Sequence, residues 1–556
     1  VLFVQDDNPL TRLGRSTGSS LNLRVEPLAA RSRGAPSMTF SSSVHGDPET
    51  PVVDAYAGDP IVLRTLVGGT NDVHTLHVDG HWFRTELWSK ESRPVSTAHL
   101  GISERYDLVL PAAGGPARRP GDYLYYVGRS FRLREGSWGL LRVRPGPAGP
   151  GLQPLPGREP SARPAGEVCP KGSPRRRVDV VAAPAPLPVL GGAQGAVFAL
   201  RADLDALRSG APSQPLVIHV GVGDCLVVEL TNATSAPVSP HVDQLVGEAP
   251  SSGIATGDLP DQSTAAGGTR TYEFFAHPEV GETVGMLRDG GDLGSGPGLG
   301  LYGAIVVGPA GAVIRDPASG RELDPAVGTA VVVEPLGARA YRDMTLLMHD
   351  DDASLGTHRM PYRPRVDGRV GVNYQAAPLA DRLGRDAGRG AAYRSSVHGD
   401  PATPLLQAYA GDPVRLNVLA PWSEQSQVFG LEGHRWPSDP GLPGTTLLSA
   451  QKVGGAEALT LRLVAGGDQA LPGDYRYGNR RLPFTEAGMW GLLRVHPAGS
   501  STAVLRPLAR ERRTGLPSST LLVVVGGVLV VSGGLALLGR RRLRRREELT
   551  GGARAA

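Results

Sequence analysis

Side chains that suit a metal ion occur close together at one place in the chain. His74, His77 and Asp79 lie in a single short segment. Two imidazoles and one carboxylate form a donor set for a single Cu(II) or Zn(II) ion. On a strand, His74 and His77 have opposite parity, so a bulge would be needed to make them converge. The alternative is that these are polar residues left at a seam between domains.

The two cysteines, Cys169 and Cys225, are too few for a disulfide scaffold or a cysteine-rich metal cluster. Cys225 falls in an apolar strand pattern, and Cys169 falls in the segment before it. Outside the cell, one disulfide would tie this segment to the strand. Two free thiols are the alternative.

An uncharged apolar run at residues 521–539 is long enough to span a bilayer as one helix. The tail that follows, residues 540–556, holds seven Arg and two Glu, so the rest of the chain is close to neutral. This distribution argues against a basic face for nucleic acid. The positive-inside rule places the tail in the cytoplasm and the preceding bulk outside, in a single-pass protein of the cell membrane.

The chain opens in an apolar run, VLFVQDD, with no signal peptide. A single span with the bulk outside still requires an export signal. We therefore expect the sequence to be a fragment that lacks its N-terminal part.

One long unit of sequence occurs twice. Residues 42–62 (SSVHGDPETPVVDAYAGDPIV) resemble residues 395–414 (SSVHGDPATPLLQAYAGDPV), and residues 121–143 resemble residues 473–495. The offset between the copies is nearly constant, which indicates a repeated domain. Short apolar runs between Gly/Pro-rich turns predict strands throughout, and therefore an all-β chain.

Changes in composition predict the boundaries of three units and their connections. They are a clipped first unit at 1–147, a linker at 148–174, a middle unit at 175–312, a third unit at 328–498, a spacer at 499–520, the membrane helix at 521–539 and the tail at 540–556.

The repeated hairpins GDYLYYVGRSFRLREGSWGLLRV and GDYRYGNRRLPFTEAGMWGLLRV, together with the histidines of HTLHVDGHWF, resemble the multicopper oxidases. The resemblance covers nearly all of residues 1–498 in layout. It implies three cupredoxin-like Greek-key β-sandwiches followed by one C-terminal transmembrane helix. It also implies copper as the cofactor and oxidation of a reductant coupled to reduction of O2.

The resemblance assigns positions to the copper ligands. His74 falls on a type 1 copper imidazole and His77 on an imidazole of the trinuclear cluster, while Asp79 stands where a third histidine is usual. In the middle unit His241 survives, but Asp243 replaces its partner histidine. The remnant ligands implied are His74, His77, Asp79 and His241.

The thiolate position of the family is lost in both copies of the repeat. Val127 stands there in the first copy and Asn479 in the second. A blue copper site needs that thiolate, so we expect this chain alone to be inactive and mainly structural.

Two functional hypotheses follow. In the first, the chain is the C-terminal part of a membrane-anchored, extracytoplasmic multicopper oxidase, with its working copper in upstream domains. In the second, it is a non-catalytic cupredoxin-repeat surface protein that binds a partner or a single metal ion.

Overall fold

The structure is a computed structural model that describes residues 1–6, 19–31, 34–68, 73–146, 151–159, 168–247, 251–351, 369–383 and 389–509. The predicted membrane span at 521–539 and the basic tail lie outside these residues. Within them, no helix has both the length and the apolar character needed to cross a membrane.

Short strands dominate the described residues, as expected for an all-β chain, and we group them into three units by the sheets they join. The first unit contains β1 (Leu2–Asp6), β2 (Ser19–Leu21), β3 (Val52–Tyr56), β4 (Ile61–Val67), β5 (His74–Val78), β6 (Phe83–Arg84), β7 (Pro94–Val95), β8 (Thr97–Leu100), β9 (Arg105–Leu110), β10 (Gly121–Val127) and β11 (Trp138–Arg144). The second contains β12 (Arg175–Pro186), β13 (Gln194–Leu200), β14 (Leu216–Gly221), β15 (Cys225–Asn232), β16 (Pro240–Val242), β17 (Val246–Gly247), β18 (Thr269–Phe275), β19 (Thr283–Asp289) and β20 (Tyr302–Gly308).

The third unit contains β21 (Val313–Arg315), β22 (Ala330–Glu334), β23 (Tyr341–Asp350), β24 (Val370–Val372), β25 (Leu405–Tyr409), β26 (Pro413–Ser423), β27 (Gln427–Leu431), β28 (Trp436–Pro437), β29 (Leu447–Leu448), β30 (Ala450–Val453), β31 (Ala458–Val464), β32 (Gly473–Asn479) and β33 (Trp490–His496). The described α-helices are all about one turn long. They are α1 (Ser42–His45), α2 (Ser130–Arg134), α3 (Leu204–Arg208), α4 (Ala380–Leu383), α5 (Ser395–His398) and α6 (Leu482–Glu486).

All three units share one topology of two main sheets, each with one parallel pair of strands. The parallel pairs are β1 with β4, β3 with β11, β12 with β15, β14 with β20, β23 with β26 and β25 with β33. The other paired strands of the described chain run antiparallel. Each unit encloses its own apolar core between its two sheets. Alternation of side chains along the strands supplies these cores: Leu76 and Val78 of β5, for example, point inward.

The two copies of the repeat make the same local contacts. Trp138 and Trp490 are both fully buried, and each indole N–H donates to a backbone carbonyl at 2.7 Å, that of Glu26 and that of Ala377 respectively. These tryptophans hold the segment that contains Glu26 against β11 and the segment that contains Ala377 against β33.

A disulfide joins Cys169 to Cys225, with the Cα atoms 5.7 Å apart and a sequence separation of 56 residues. Cys225 begins β15, which pairs in parallel with β12. The bond therefore ties the segment before β12 to the neighbouring strand of the second unit.

The first and second units meet through backbone contacts beside α1. The Ser42 N–H donates to the Gly257 carbonyl at 2.7 Å, and the Gly257 N–H donates to the Phe40 carbonyl at 2.9 Å. Ile254 and Leu293 of the second unit pack with Leu124 of the first in one buried cluster. The first and second units are therefore joined here by backbone hydrogen bonds and by apolar contact.

The first and third units meet at a buried carboxyl group, that of Glu424, just after β26. Its oxygens accept a hydrogen bond from the Phe131 N–H at 2.9 Å and pair with Arg134 at 2.5 Å. Burial raises the pKa of Glu424 to about 7, although Arg134 opposes the change. The seam therefore favours the protonated acid.

This raised pKa predicts a pH dependence of stability. Because the folded pKa lies above the ordinary value of 4.5, the contribution of Glu424 is complete below about pH 4.5 and is lost as pH rises through about 7. We expect Glu424→Gln to flatten the decline in unfolding free energy between about pH 5 and pH 8, by about 2–3 kcal/mol. Urea unfolding of both proteins across that range measures the difference, and parallel curves would contradict the assignment.

Candidate metal centre

Two copies of the tripeptide His-Val-Asp face each other across the junction of the first and second units. His77 lies in β5, with Asp79 directly after that strand, and His241 lies in β16, with Asp243 directly after it. β5 is held between β10 and β8, and β16 is an edge strand paired with β19. The pleat of β5 directs Leu76 into the core, so His77 and Asp79 share the face turned toward the second unit.

The four side chains form a ring of His–Asp contacts, in which His77, Asp79 and Asp243 are the three whose ligand atoms all lie close together. The His77 Nε2 atom lies 3.4 Å from Asp79 Oδ1 and 3.5 Å from Asp243 Oδ1. The His241 Nε2 atom lies 3.0 Å and 3.5 Å from the same two oxygens. None of the four side chains is more than 7% exposed. We call these four residues the His-Asp cluster.

The second ring nitrogen of His241 fixes its tautomer. Nδ1 lies 2.8 Å from the Ser252 carbonyl oxygen, which only accepts, so Nδ1 carries a hydrogen. A neutral ring would then present the Nε2 lone pair to the Asp79 carboxylate, which also carries only lone pairs. A cation, either a proton or a metal ion, is needed between them.

The tautomer of His77 is fixed in the same way, through a hydrogen bond from its Nδ1 atom. Its Nδ1 atom lies 2.9 Å from the Thr97 hydroxyl oxygen, and that hydroxyl donates its hydrogen to the Ala456 carbonyl at 2.6 Å. Thr97 therefore accepts from the His77 Nδ1–H. The Nε2 atom is left to face Asp79 and Asp243.

Arg288 supplies a permanent positive charge at the edge of the cluster. Its Nη2 atom lies 3.2 Å from Asp243 Oδ2 and donates to the Tyr126 hydroxyl. Burial opposes the charge of Arg288, but Asp243 keeps the pKa of the guanidinium above its usual value. Asp243 is thereby held in place and partly neutralised.

A proton on His241 completes the charge balance when no metal is bound. Burial alone would lower the pKa of His241, but the charge and hydrogen bond of Asp79 raise it to about 9. The same contacts, against the opposing effect of burial, hold the pKa of Asp79 well below its usual value. Asp79 and Asp243 are then matched by Arg288 and the imidazolium of His241.

His74, an implied ligand, lies on the other face of β5. The register of β5 with β8 is regular from His74 to His77, without a bulge. His74 therefore shares the inward face of Leu76 and is fully buried there. The structure brings His77, Asp79 and His241 together and leaves His74 apart.

His81 has a structural role. Its Nδ1–H donates to the Asp79 carbonyl at 2.7 Å, and its Nε2 accepts from the Gly114 N–H at 2.9 Å. Burial lowers the pKa of His81 to about 4. His434 makes the two matching bonds in the third unit, at 2.8 and 3.0 Å.

The third unit does not build the cluster at its matching positions. Gly430 and Glu432 stand where His77 and Asp79 stand in the first unit. The Glu432 side chain is 46% exposed and pairs with Arg476 at 2.7 Å and Arg480 at 3.4 Å. These are surface ion pairs without an imidazole.

An amide pair occupies the type 1 copper position that the resemblance assigns to the third unit. The Asn479 side-chain amide donates to the Gln427 oxygen and lies 3.4 Å from Met489 Sδ. All three residues are buried, and Gln427 donates onward to Asp350 at 2.5 Å. These groups satisfy one another, and this set contains neither a thiolate nor an imidazole.

Sequence reasoning treated Asp243 as a lost ligand and did not single out Thr97 or Ser252. The structure makes Asp243 a member of the cluster and the other two the supports of its imidazoles. The tripeptide shared by residues 77–79 and 241–243 was the signal available for Asp243. The two supports carry no such signal, because Ser252 contributes only its backbone carbonyl and a threonine is ordinary in a strand such as β8.

No family model and no curated protein matches the sequence. Among solved structures, the chain is similar to a multicopper oxidase, with a TM-score of 0.39, 17% identity, and coverage of 59% of this chain and 92% of that one. It is also similar to a blue copper oxidase from Nitrosomonas europaea (TM-score 0.38, 15% identity, 58% and 86% covered) and to a copper nitrite reductase from the same organism (TM-score 0.38, 16% identity, 60% and 100% covered). At these identities the likeness concerns the fold.

Proposed function

We propose that the His-Asp cluster binds one divalent transition metal ion, preferentially Zn(II), and that this ion fastens the first unit to the second. The observation that carries the proposal is the set of four His–Asp contacts, in which His77, Asp79 and Asp243 form a compact set of three donors and His241 adjoins both carboxylates. Metal bonds of about 2.0–2.2 Å in a tetrahedron separate the donors by about 3.3–3.6 Å. The four His–Asp distances are 3.0, 3.4, 3.5 and 3.5 Å.

The same distances favour zinc over copper. Square-planar Cu(II) with bonds of about 2.0 Å would bring neighbouring donors to about 2.8 Å. Three of the four distances are 3.4 Å or more. Copper, the cofactor implied by the family resemblance, would have to draw the donors inward. Zinc would bind the compact set of His77, Asp79 and Asp243 and would draw His241 inward as the fourth ligand.

A structural role follows from burial and from the number of donors. Zinc sites with four protein ligands have no open position for water or substrate, whereas catalytic sites keep one. His77, Asp79, His241 and Asp243 are all buried, and they come from both sides of one junction. The ion would crosslink the two units. The guanidinium of Arg288 would remain beside Asp243 as a second positive charge.

The wider setting is part of the same proposal. We place the chain outside the cytoplasm as a mainly structural, cupredoxin-like part of a membrane-anchored protein related to multicopper oxidases. The disulfide between Cys169 and Cys225 supports an oxidising compartment. The apolar run at 521–539 supports the anchor, and the amide pair at Asn479 and Gln427 supports a structural role.

Zinc affinity tests the site. We expect the protein to bind one Zn(II) per chain in equilibrium dialysis, with affinity reduced more than about 100-fold by Asp79→Asn or His77→Gln, since loss of a mere supporting contact costs about 10–100-fold. Zinc at about 100 times its Kd is expected to stabilise the unchanged protein by about 2.7 kcal/mol.

Glu432→Gln is the matched control, because Glu432 holds the position of Asp79 in the repeated unit and lies at the surface. It should bind zinc as tightly as the unchanged protein. Melting of each variant without metal checks that it is folded. Stoichiometric zinc that survives in Asp79→Asn and His77→Gln alike would place the ion elsewhere.

The spectrum of the copper-loaded protein is a separate test. We expect Cu(II) to give only weak visible absorption, because an intense blue band requires a cysteine thiolate and both cysteines are joined to each other. A blue copper protein at equal copper concentration serves as the reference. An intense blue colour from this chain would contradict the proposed donor set.

A further inference from the structure

A turn of the third unit contacts the strands β5 and β8, which lie beside the metal centre. Residues 454–457, which we call the tip loop, connect β30 to β31. Three side chains of the first unit bind it: Thr75 donates to the Gly455 carbonyl at 2.7 Å, Thr97 donates to the Ala456 carbonyl at 2.6 Å, and His99 Nδ1 lies 3.1 Å from Glu457 Oε2. The tip loop is thus docked on β5 and β8.

The docking depends on an unusually close approach of two backbones. A Cβ atom added to Gly128 would lie 2.1 Å from the Gly455 carbonyl oxygen, and one added to Gly455 would lie 2.1 Å from that of Gly128. Neither position accommodates a side chain. Glycine at both places therefore allows the tip loop to reach Thr97.

The loop also carries a residue in an unfavourable backbone conformation. Ala456 has a φ of 61°, in the left-handed region that favours glycine over residues with a side chain. Its methyl group is buried in the cluster that contains Tyr126 and Ile254, at the meeting point of all three units. This packing holds the Ala456 carbonyl in the position where Thr97 uses it.

From these contacts we propose that Thr97 and the tip loop are positioning elements of the metal centre, so that zinc binding and docking of the third unit are coupled. The inference rests on the proposed function. The Ala456 carbonyl accepts a hydrogen bond from the Thr97 hydroxyl. The hydroxyl oxygen then accepts a hydrogen bond from the His77 Nδ1–H, and the Nε2 atom of that ring faces Asp79 and Asp243. If the tip loop leaves, the hydroxyl is free to rotate and the ring loses its orientation.

The coupling is reciprocal. A third unit that raises the affinity of the first for zinc must itself be held more tightly when zinc is bound, by the same factor. Zinc should therefore protect the amides of the tip loop from hydrogen exchange, although they lie in a different unit from every ligand. The Ala456 N–H, which donates to the Ala420 carbonyl at 3.0 Å, is the amide to follow.

The chain offers a matched pair of variants. Thr97 and Thr75 both donate to a carbonyl of the tip loop, at 2.6 and 2.7 Å, but only Thr97 also bonds to a cluster imidazole. Thr97→Val and Thr75→Val each remove one hydrogen bond to the tip loop, and the two bonds have nearly the same length. Thr97→Ser restores the hydroxyl.

The experiment measures zinc affinity and amide exchange of the full chain and the three variants. We expect Thr97→Val to weaken zinc binding about 10–100-fold and to abolish the zinc-dependent protection of the tip loop. Thr97→Ser should keep both, and Thr75→Val, which loosens docking but leaves Thr97 on His77, should weaken zinc binding less than Thr97→Val does. The melting temperature without zinc should fall in both Thr97→Val and Thr75→Val, and further in Thr97→Val, which also removes the bond to His77.

Equal zinc affinity in Thr97→Val and the unchanged protein would overturn the inference while leaving the metal centre intact. Losses in Thr75→Val as large as those in Thr97→Val would overturn the positioning role of Thr97, since they would show that the Thr97–His77 bond adds nothing to the effect of docking. Absence of zinc binding by the unchanged protein would remove the metal centre, and this inference with it.

Discussion

Two carboxylates and two imidazole nitrogens face one another where water has little access, and such an arrangement persists only with positive charge among them. This requirement decides the rest of the junction. It explains why Arg288 is buried beside Asp243, and why the outer nitrogens of both rings are committed to acceptors. It also explains why a proton and a metal ion compete for one location: each satisfies the same electrostatic demand.

The repeat provides an internal comparison of what creates the centre. The first and third units share topology, buried tryptophans and the fixed histidines His81 and His434. They differ in what covers the outer face of the sheet that contains β5 in the first unit and β27 in the third. In the first unit that face is covered by the second unit, which adds His241 and Asp243. In the third, Glu432 and its arginine partners meet solvent. The centre is therefore a property of the junction, and neither unit contains it alone.

The sequence indicates which residues share a face of a strand, but it does not indicate which residues of other segments they contact. Short apolar runs were enough for the all-β class, and the period of a strand put His77 and Asp79 on one side of β5 and His74 on the other. The contact of His241 with Asp79 joins residues 162 positions apart, and that of Thr97 with Ala456 spans 359. No local pattern encodes such distances along the chain. They arise from packing between whole sheets, which is why Thr97 could not be assigned from the sequence, whereas Asp243 carried the signal of the repeated tripeptide.

The disulfide between Cys169 and Cys225 affects what happens to the segment it encloses. That segment contains α3, where Asp205 and Arg208 point into solvent with side chains 95% and 65% exposed. Hydrolysis of the backbone there would leave both pieces covalently attached and still paired along β12 and β15. Protein cut at α3 would migrate as one band in a denaturing gel until a reducing agent separated the pieces, so a single band without reducing agent is no proof of an uncut chain.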